Sequence, residues 1–460
     1  MKLYNDLANI VGKENVLVSS FDKEIYSYDS SPYSGDPMAI VFPTSTEEVV
    51  EIVKYCVREN IPITPRGAGT CLSGGAAPVD NGVVLVMTKM DKILNIDLKQ
   101  KLALVEPGVV NFRLQEALEP SNYFFAPDPS SFKVATLGGN VSENAGGIKG
   151  VKYGVTKNHV VGLEVVLPSG EIITTGKLSS QLREKIDITN LFCGSEGTLG
   201  IITKILVKIK PKPKAVKTML VTFDSLEDSG SLVANILRVG IIPTTLEIMD
   251  QTVTRAVEDY LKLGLPKDVE AMLLIEVDGT AEEVENNSSR IIELFKKYRV
   301  KNFQVAQNDD ERNNLWKARR SANGALGKLK SAYMVQDVVV PIDQLTAMLS
   351  IVTNIGKKYE VIIGQVAHAG DGNLHPHLLY DHSNHEEKER VELASAEIFR
   401  ETLKLEGTLS GEHGIGLEKL PYMNWAFDDN SLEFKKILKS SFDSRWNFNP
   451  GKLISAEKGE

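Results

Sequence analysis

A β-α-β unit that leads into a glycine-rich loop with no helix behind it is the feature that most restricts what this chain can fold into. Residues 39–64 read as an apolar strand, AIVF, a helical segment, STEEVVEIVKYCVREN, and a second strand, IPIT. Ser45 and Glu48 form an S-x-x-E capping signal, and Val49, Val50, Ile52, Val53, Cys56 and Val57 recur along one helical face. The chain continues as PRGAGTCLSGGAAPVDNG. A Rossmann dinucleotide site requires G-x-G-x-x-G opening a helix whose N-terminus receives pyrophosphate. Leu72 stands at the third glycine position and no 3.6-residue periodicity comes after it, so that fold is excluded. The loop instead runs through Gly74 and Gly75 to a strand, GVVLVMTKM.

Further along, KLALVEPGVVNFRLQEAL leads to TLGGNVSENAGGIKGVKYG, which carries six glycines between Gly138 and Gly154. HVVGLEVVLPSGEIITTG reads as a hairpin, and LFCGSEGTLGIITKILVKIKP ends in a strand. Prolines and lysines in KPKPKAVK, residues 210–217, interrupt the pattern and mark the main domain boundary. Beyond it strand-like and helix-like segments alternate from KTMLVTFDS to QVAHAGDGNLHPHLLY. This implies an α+β domain, an antiparallel sheet with helices on one side. A closing helix, NSLEFKKILKSSFD, runs into NFNPGKLI.

With 460 residues, 42% of them hydrophobic, the chain can bury two or more cores. The net charge of −9 is spread along it without an acidic tail or a basic stripe, which argues against nucleic acid as the main partner. A small anionic substrate therefore needs a local cation. Cys56, Cys71 and Cys193 form no C-x-x-C pair, so neither a disulfide framework nor an iron–sulfur cluster is expected. The start, MKLYNDLANIVGKENVLVSS, lacks a basic segment followed by an apolar one. No apolar run approaches the roughly 20 residues that span a bilayer. The expectation is a soluble, cytoplasmic protein without a transmembrane segment.

Of seven histidines, His368, His375 and His377 fall inside QVAHAGDGNLHPHLLYDH, residues 365–382. Asp371-Gly372 is a two-residue type I′ turn signal, and counting outward from it sets His368 opposite His375 with Cβ atoms about 5 Å apart. His377 shares their face. Two neutral imidazoles there suit a shared metal; the alternative is a hydrogen-bonded pair with a structural role. TLSGEHGIGLEK offers a third ligand, Glu412, beside His413. Adjacent side chains diverge on a strand, so both reach one site only where Gly411 and Gly414 bend the backbone. Two histidines and a carboxylate leave positions open for a substrate oxygen on Zn2+, Fe2+ or Mn2+, with His413 left as a candidate base.

With PRGAGTCLSGG, TLGGNVSENAGG, GSEGTLG, HAGDGNLHPH and GEHGIG in this order, the chain resembles the FAD-linked D-2-hydroxyacid dehydrogenases. These include FAD-dependent D-lactate dehydrogenases and the glycolate oxidase catalytic subunit, within the p-cresol methylhydroxylase and vanillyl-alcohol oxidase flavin-fold superfamily. The resemblance covers nearly the entire chain, from DPMAIVFPTSTEEVVEIV to NPGKL. It implies an N-terminal segment and a two-subdomain FAD-binding domain over residues 1–214 and a substrate or cap domain over 215–410. Residues 411–460 would be a catalytic loop and a tail returning to the FAD domain. It assigns Arg66, Gly67, Gly69, Thr70, Ser73 and Gly74 to a first cofactor loop. Pro129, Ser131, Gly138, Gly139, Asn140, Ser142, Gly146, Gly147 and Tyr153 form a second wall. Glu196, Gly197, Gly200 and Ile201 contribute near the adenosine and ribityl parts, and Asn449 near the flavin. The pyrophosphate would rest on backbone N–H groups of the glycine loops. Relatives with covalent flavin carry histidine at the position of Thr70, so FAD is expected to be non-covalent, and Cys71 beside it reads as a small buried residue.

The resemblance also implies that His368, His375 and Glu412 hold the metal, which acidifies the substrate's 2-hydroxyl. His413 removes its proton while hydride passes to flavin N5, giving a 2-oxo acid. Arg319 in LWKARRSAN matches the substrate-carboxylate clamp, with Arg320 a solvated neighbour. His377 touches substrate or buttresses His375. Val335 stands where some relatives have a lysine, which favours a small monocarboxylate, D-lactate first, over a dicarboxylate. Other readings are a glycolate dehydrogenase subunit, a mononuclear metallohydrolase, or a non-catalytic flavoprotein that only relays electrons. No cluster site or nicotinamide fingerprint is present, so electrons would leave through a quinone, a cytochrome, an iron–sulfur subunit or an electron-transferring flavoprotein. A homo-oligomer is also compatible with the sequence.

Overall fold

The computed structural model describes residues 2–178 and 186–455. They form two compact units. The first comprises the described residues of Met1–Gly146, Val155–Lys212 and Glu412–Glu460, and the second comprises Gly147–Gly154 and Pro213–Gly411.

In the first unit, strands β1 (Val16–Leu17), β2 (Ala39–Val41), β3 (Ile63–Arg66) and β4 (Val83–Val86) form a sheet in the order β1-β2-β4-β3. β2 and β3 both run parallel to β4, so the β-α-β unit steps over β4. Its helix, Thr46–Arg58, presents Val49, Ile52, Val53 and Cys56 to a core shared with Leu7, Leu85 and Phe448. Ser45 accepts the Glu48 N–H at 3.2 Å as expected. The Glu48 carboxylate reaches one residue further back than a capping box requires and takes the Thr44 N–H at 2.6 Å. No helix occurs between residues 67 and 82, in keeping with the missing periodicity.

A second sheet joins β5 (Ile93–Asp97), β6 (Leu102–Val105), β8 (Val160–Val166), β9 (Ile172–Thr174) and β10 (Ile201–Lys208) in the order β5-β6-β10-β8-β9. All its pairings are antiparallel. A short ribbon, β7 (Tyr123–Phe124) with β11 (Lys210–Pro211), flanks it. The C-terminal tail is tied to the same unit. Lys439 Nζ, buried, donates to the carbonyls of Thr198 and Phe448, and the Asn449 N–H donates to the Ile63 carbonyl at 2.8 Å.

The second unit is built on β12 (Ala215–Phe223), β13 (Thr245–Asp250), β14 (Ala271–Gly279), β15 (Val300–Val305), β16 (Ala332–Val335), β17 (Val338–Val339), β18 (Ile362–His368) and β19 (Asn373–Tyr380). Seven of them take the order β15-β12-β14-β13-β18-β19-β16, and β17 pairs with β19. The sheet is antiparallel, as the alternation of elements implied. One detail differs: helices cover both faces. Successive residues point to opposite sides, and a Cβ on Gly364 would meet Val253 and Leu326, whereas Gln365 donates to the Leu349 carbonyl at 3.1 Å. Burial on both sides also explains why β14 reads as a nearly continuous apolar run. Among the described residues no helix is long and apolar enough to cross a membrane.

The β18–β19 connection departs from the expected two-residue turn. A 3-10 turn over Ala369–Asp371 and a left-handed Gly372, φ 69°, link the strands, so His368 pairs with Asn373 and His375 with Val366. Gly372 is drawn against the Val340 carbonyl while the Val340 N–H donates to the Gly372 carbonyl at 3.0 Å, and this contact makes the turn longer. Register moves by two residues, the strand period, so the histidines keep their common face.

Candidate active site

That shared face carries the histidine cluster. His368, His375 and His377 are 4%, 5% and 2% exposed. The rings of His368 and His375 lie 4.9 Å apart, edge to face at 81°. His368 Nδ1 sits 2.7 Å from Glu247 Oε1 and His375 Nδ1 sits 3.3 Å from the Gln336 carbonyl. An imidazole that donates through Nδ1 carries its lone pair on Nε2, the form in which histidine binds a metal. This donor chemistry fits a divalent cation. His377 differs: its Nδ1 lies 2.8 Å from the His375 carbonyl and its Nε2 lies 3.0 Å from Asn323 Oδ1.

Arg319 comes from helix Asp309–Arg320, which projects Arg312, Trp316 and Arg319 at helical spacing toward the sheet. Arg312 and Trp316 both bond Glu276, whereas Arg319 Nε and Nη2 lie 2.7 and 2.6 Å from Glu247 Oε2. Glu247 is thus gripped on both oxygens, by Arg319 and by His368. Arg320 is exposed and lies over the Trp316 ring, as the solvated reading had it. Asp337, fully buried, accepts the Ser410 hydroxyl at 2.7 Å and the Gly411 N–H at 2.9 Å.

Glu412 and His413 belong to the first unit, in a bent stretch where Gly414 has φ 83°. Glu196 organises the backbone just beyond them: its two oxygens accept the N–H groups of Ile415 and Gly416, each at 2.7 Å. Burial pushes the Glu196 carboxyl up and these two bonds pull it back. From the other side the Ser73 hydroxyl donates to the His413 carbonyl at 2.8 Å, and the Ser73 carbonyl takes the Leu417 N–H at 2.8 Å. A Cβ on Gly146 would stand 2.5 Å from Glu412 Oε2, so Gly146 is glycine for close approach.

The remaining expected cofactor residues group in the first unit, except Gly147 and Tyr153, which belong to the second, where Tyr153 Oη donates to Asp278 at 2.8 Å. Arg66 braces the first glycine loop by donating to the carbonyls of Tyr28 and Ala76 at 2.7 and 3.0 Å. Gly67 and Gly138 are packed against Thr136 and Pro107, Gly197 against Pro65 and Gly200 against Val165, so these glycines serve close packing of the loops. Gly139 N–H donates to the Thr136 hydroxyl, and the carbonyls of Pro129 and Ser131 close the turn before it. The Ser142 carbonyl takes the Glu196 N–H at 2.9 Å, next to the point where Gly200 leads into Ile201 at the start of β10. Thr70 and Gly74 lie on the same glycine loop as Gly69. Asn449 Nδ2 donates to the carbonyls of Gly75 and Glu196 at 2.9 and 2.8 Å. Asn140 Nδ2 and Asn449 Oδ1 are buried and meet no hydrogen-bond partner among the described residues. A buried donor and a buried acceptor left over beside glycine loops fit a polar ligand such as a dinucleotide flavin.

Sequence reasoning missed three buried ionisable groups, Glu247, Asp337 and Lys452, and a half-buried one, Glu143. Glu247 stands in the apolar strand TTLEIMD, and that interruption was its only signal. Asp337 opens DVVVP and carried none. Glu143 lies in NVSENAGG, where burial, with Glu196 nearby, raises its carboxyl well above the ordinary value. Lys452, in NPGKL, donates to the Gly75 and Ala77 carbonyls, and burial lowers it to about 8.

Comparison with known proteins returns two matches along the chain: residues 37–176 match the FAD binding domain, and residues 212–453 match the C-terminal domain of the FAD linked oxidases. The chain is 42% identical over 452 residues to the glycolate oxidase subunit GlcD of Bacillus subtilis (strain 168), covering 98% of this chain and 96% of that protein. It is 34% identical to a D-lactate dehydrogenase of Anaerostipes hadrus, covering 96% and 95%. In fold it is similar to p-cresol methylhydroxylase with substrate bound, at a TM-score of 0.83 and 20% identity, over 100% of this chain and 98% of the other.

Proposed function

The chain belongs to the FAD linked oxidases, and from that premise we propose that it oxidises a small 2-hydroxy monocarboxylate to the 2-oxo acid. The observation that carries this reading is the buried pair His368 and His375, with Nδ1 of each ring held by an oxygen. Bound FAD supplies the two-electron acceptor, and a divalent cation supplies Lewis acidity toward the substrate hydroxyl. His368, His375 and Glu412 are the proposed ligands of that cation. His413 accepts the hydroxyl proton, its loop steadied by Ser73 and Glu196. Arg319, fixed on one side by Glu247, turns its remaining guanidinium edge to the substrate carboxylate. Both ring nitrogens of His377 already face protein acceptors, which supports its role as a buttress of His375.

Val335, opposite His377 in the sheet, adds no second cation, which weighs for a monocarboxylate. The greater identity to a glycolate oxidase subunit than to a D-lactate dehydrogenase puts glycolate ahead of D-lactate, the reverse of the order expected from sequence. That relative is named as a subunit, so a protein partner that takes the electrons belongs to the proposal. The test is a dye-linked assay of purified, flavin-loaded protein with glycolate, D- and L-lactate and D-2-hydroxyglutarate. Turnover of glycolate or D-lactate supports the reading; no turnover of any 2-hydroxy acid rejects it.

A further inference from the structure

We infer that Glu247 is a positioning residue that sets the tautomer and orientation of His368 and couples it to Arg319; this rests on the proposed metal-assisted reading. Glu247 faces His368 directly across the β13–β18 pairing and is fully buried. Its oxygens divide their work. Oε1 lies 2.7 Å from His368 Nδ1, and Oε2 lies 2.7 and 2.6 Å from Arg319 Nε and Nη2. A carboxylate accepts only, so His368 donates from Nδ1, and the neutral ring then keeps its lone pair on Nε2. A neutral imidazole without that partner is free to take either tautomer and to turn about χ2. The acceptor thereby selects the ligand form and fixes the ring plane before any cation arrives.

The ion pair with Arg319 explains why the carboxylate can sit there. A buried carboxylate needs partners on both oxygens, and Arg319 supplies those of Oε2 while His368 meets Oε1. Arg319 Nε and Nη2 stand opposite Oε2 and fix the carboxylate's plane. The chain Arg319–Glu247–His368 therefore joins the proposed substrate cation to a proposed metal ligand through one side chain. A change at Glu247 should register at both ends, in metal uptake and in KM for the carboxylate substrate.

The experiment uses the full-length, FAD-loaded protein as wild type, Glu247→Gln, and the double variant Glu247→Leu with Arg319→Leu, which leaves no unpaired buried charge. In metal-free samples, 15N imidazole NMR reads the tautomer of His368, and competition with a chelating dye reads Zn2+ affinity. Wild type should show the Nδ1–H form. The double variant should shift to Nε2–H or a mixture and bind Zn2+ about 10–100-fold more weakly with its flavin content intact. Glu247→Gln, which keeps one acceptor oxygen, should fall between them. An unchanged His368 tautomer together with Zn2+ affinity within about twofold of wild type overturns the inference. Wild type that takes up no Zn2+, Mn2+ or Fe2+ instead removes the metal from the proposed function, and the tautomer measurement then decides the role of Glu247 alone.

Discussion

Glu196 holds Ile415 by its backbone: the carboxylate accepts the Ile415 N–H at 2.7 Å, and its second oxygen takes the neighbouring Gly416 N–H at the same distance. The loop bearing Glu412 and His413 is therefore fixed from 219 residues away in sequence by a side chain that makes both bonds from inside the protein. Replacing Glu196 with alanine strands two amides, which costs about 1–3 kcal/mol each where they stay buried. The expected result is a lower urea midpoint and a fall in kcat of up to about 100-fold, since displacement of a reacting group by an ångström is enough for that. A variant with unchanged kcat would show that the loop keeps its place by other means.

His413 is the proposed base. Its replacement by alanine should lower kcat by roughly 10²–10⁴-fold while the visible flavin spectrum and the protein-to-flavin ratio stay as in wild type. A relay protein without hydroxyl chemistry would pass electrons from an artificial donor equally well in both forms.

Gly372 cannot be exchanged for alanine at no cost. Its φ of 69° is left-handed, and a Cβ would run into the Val340 carbonyl. Left-handed backbone costs an L-residue about 1–2 kcal/mol, and the clash adds to that. Chemical denaturation of Gly372→Ala should show at least this loss, and because the turn joins His368 to β19, divalent-metal retention should fall with it.

Asp250 gives the stability a pH dependence. It caps helix Gln251–Leu261 by accepting the Val253 N–H at 2.9 Å, and burial raises its carboxyl from 3.8 to about 7. Between those values the folded state holds a proton that the unfolded state has released, so this residue's contribution to stability falls as pH rises and levels off above about 7. Asp250→Asn keeps the cap and removes the ionisation. Melting curves from about pH 5 to about pH 8 should decline less steeply for the variant than for wild type.

Flavin should leave with unfolding. The sequence resemblance implies that Thr70 stands where relatives with covalent flavin carry histidine, and on that expectation denaturation in urea followed by ultrafiltration should put all of the yellow colour in the filtrate. Flavin retained on the protein would point to another attachment residue.

The sequence determined the local and the chemically typed features of this protein. Period-3.6 apolar spacing set the helix at Thr46–Arg58, and the missing periodicity after Arg66 set a loop. Alternation of short segments announced the antiparallel sheet, and the order of the glycine and histidine motifs announced the family. The common face of His368, His375 and His377 was legible because strand parity survives a register shift of two, although the turn itself was misread: Val340, which draws Gly372 in, is more than thirty residues away. Tertiary structure alone decided which charges meet. Glu247 and His368 are 121 residues apart and Glu247 and Arg319 are 72 apart. Glu196 and Asp337 likewise find their partners only across folded loops. A motif records backbone needs over a few residues, whereas the pairing of a buried carboxylate depends on which strands become neighbours in the sheet, and that is a property of the whole fold.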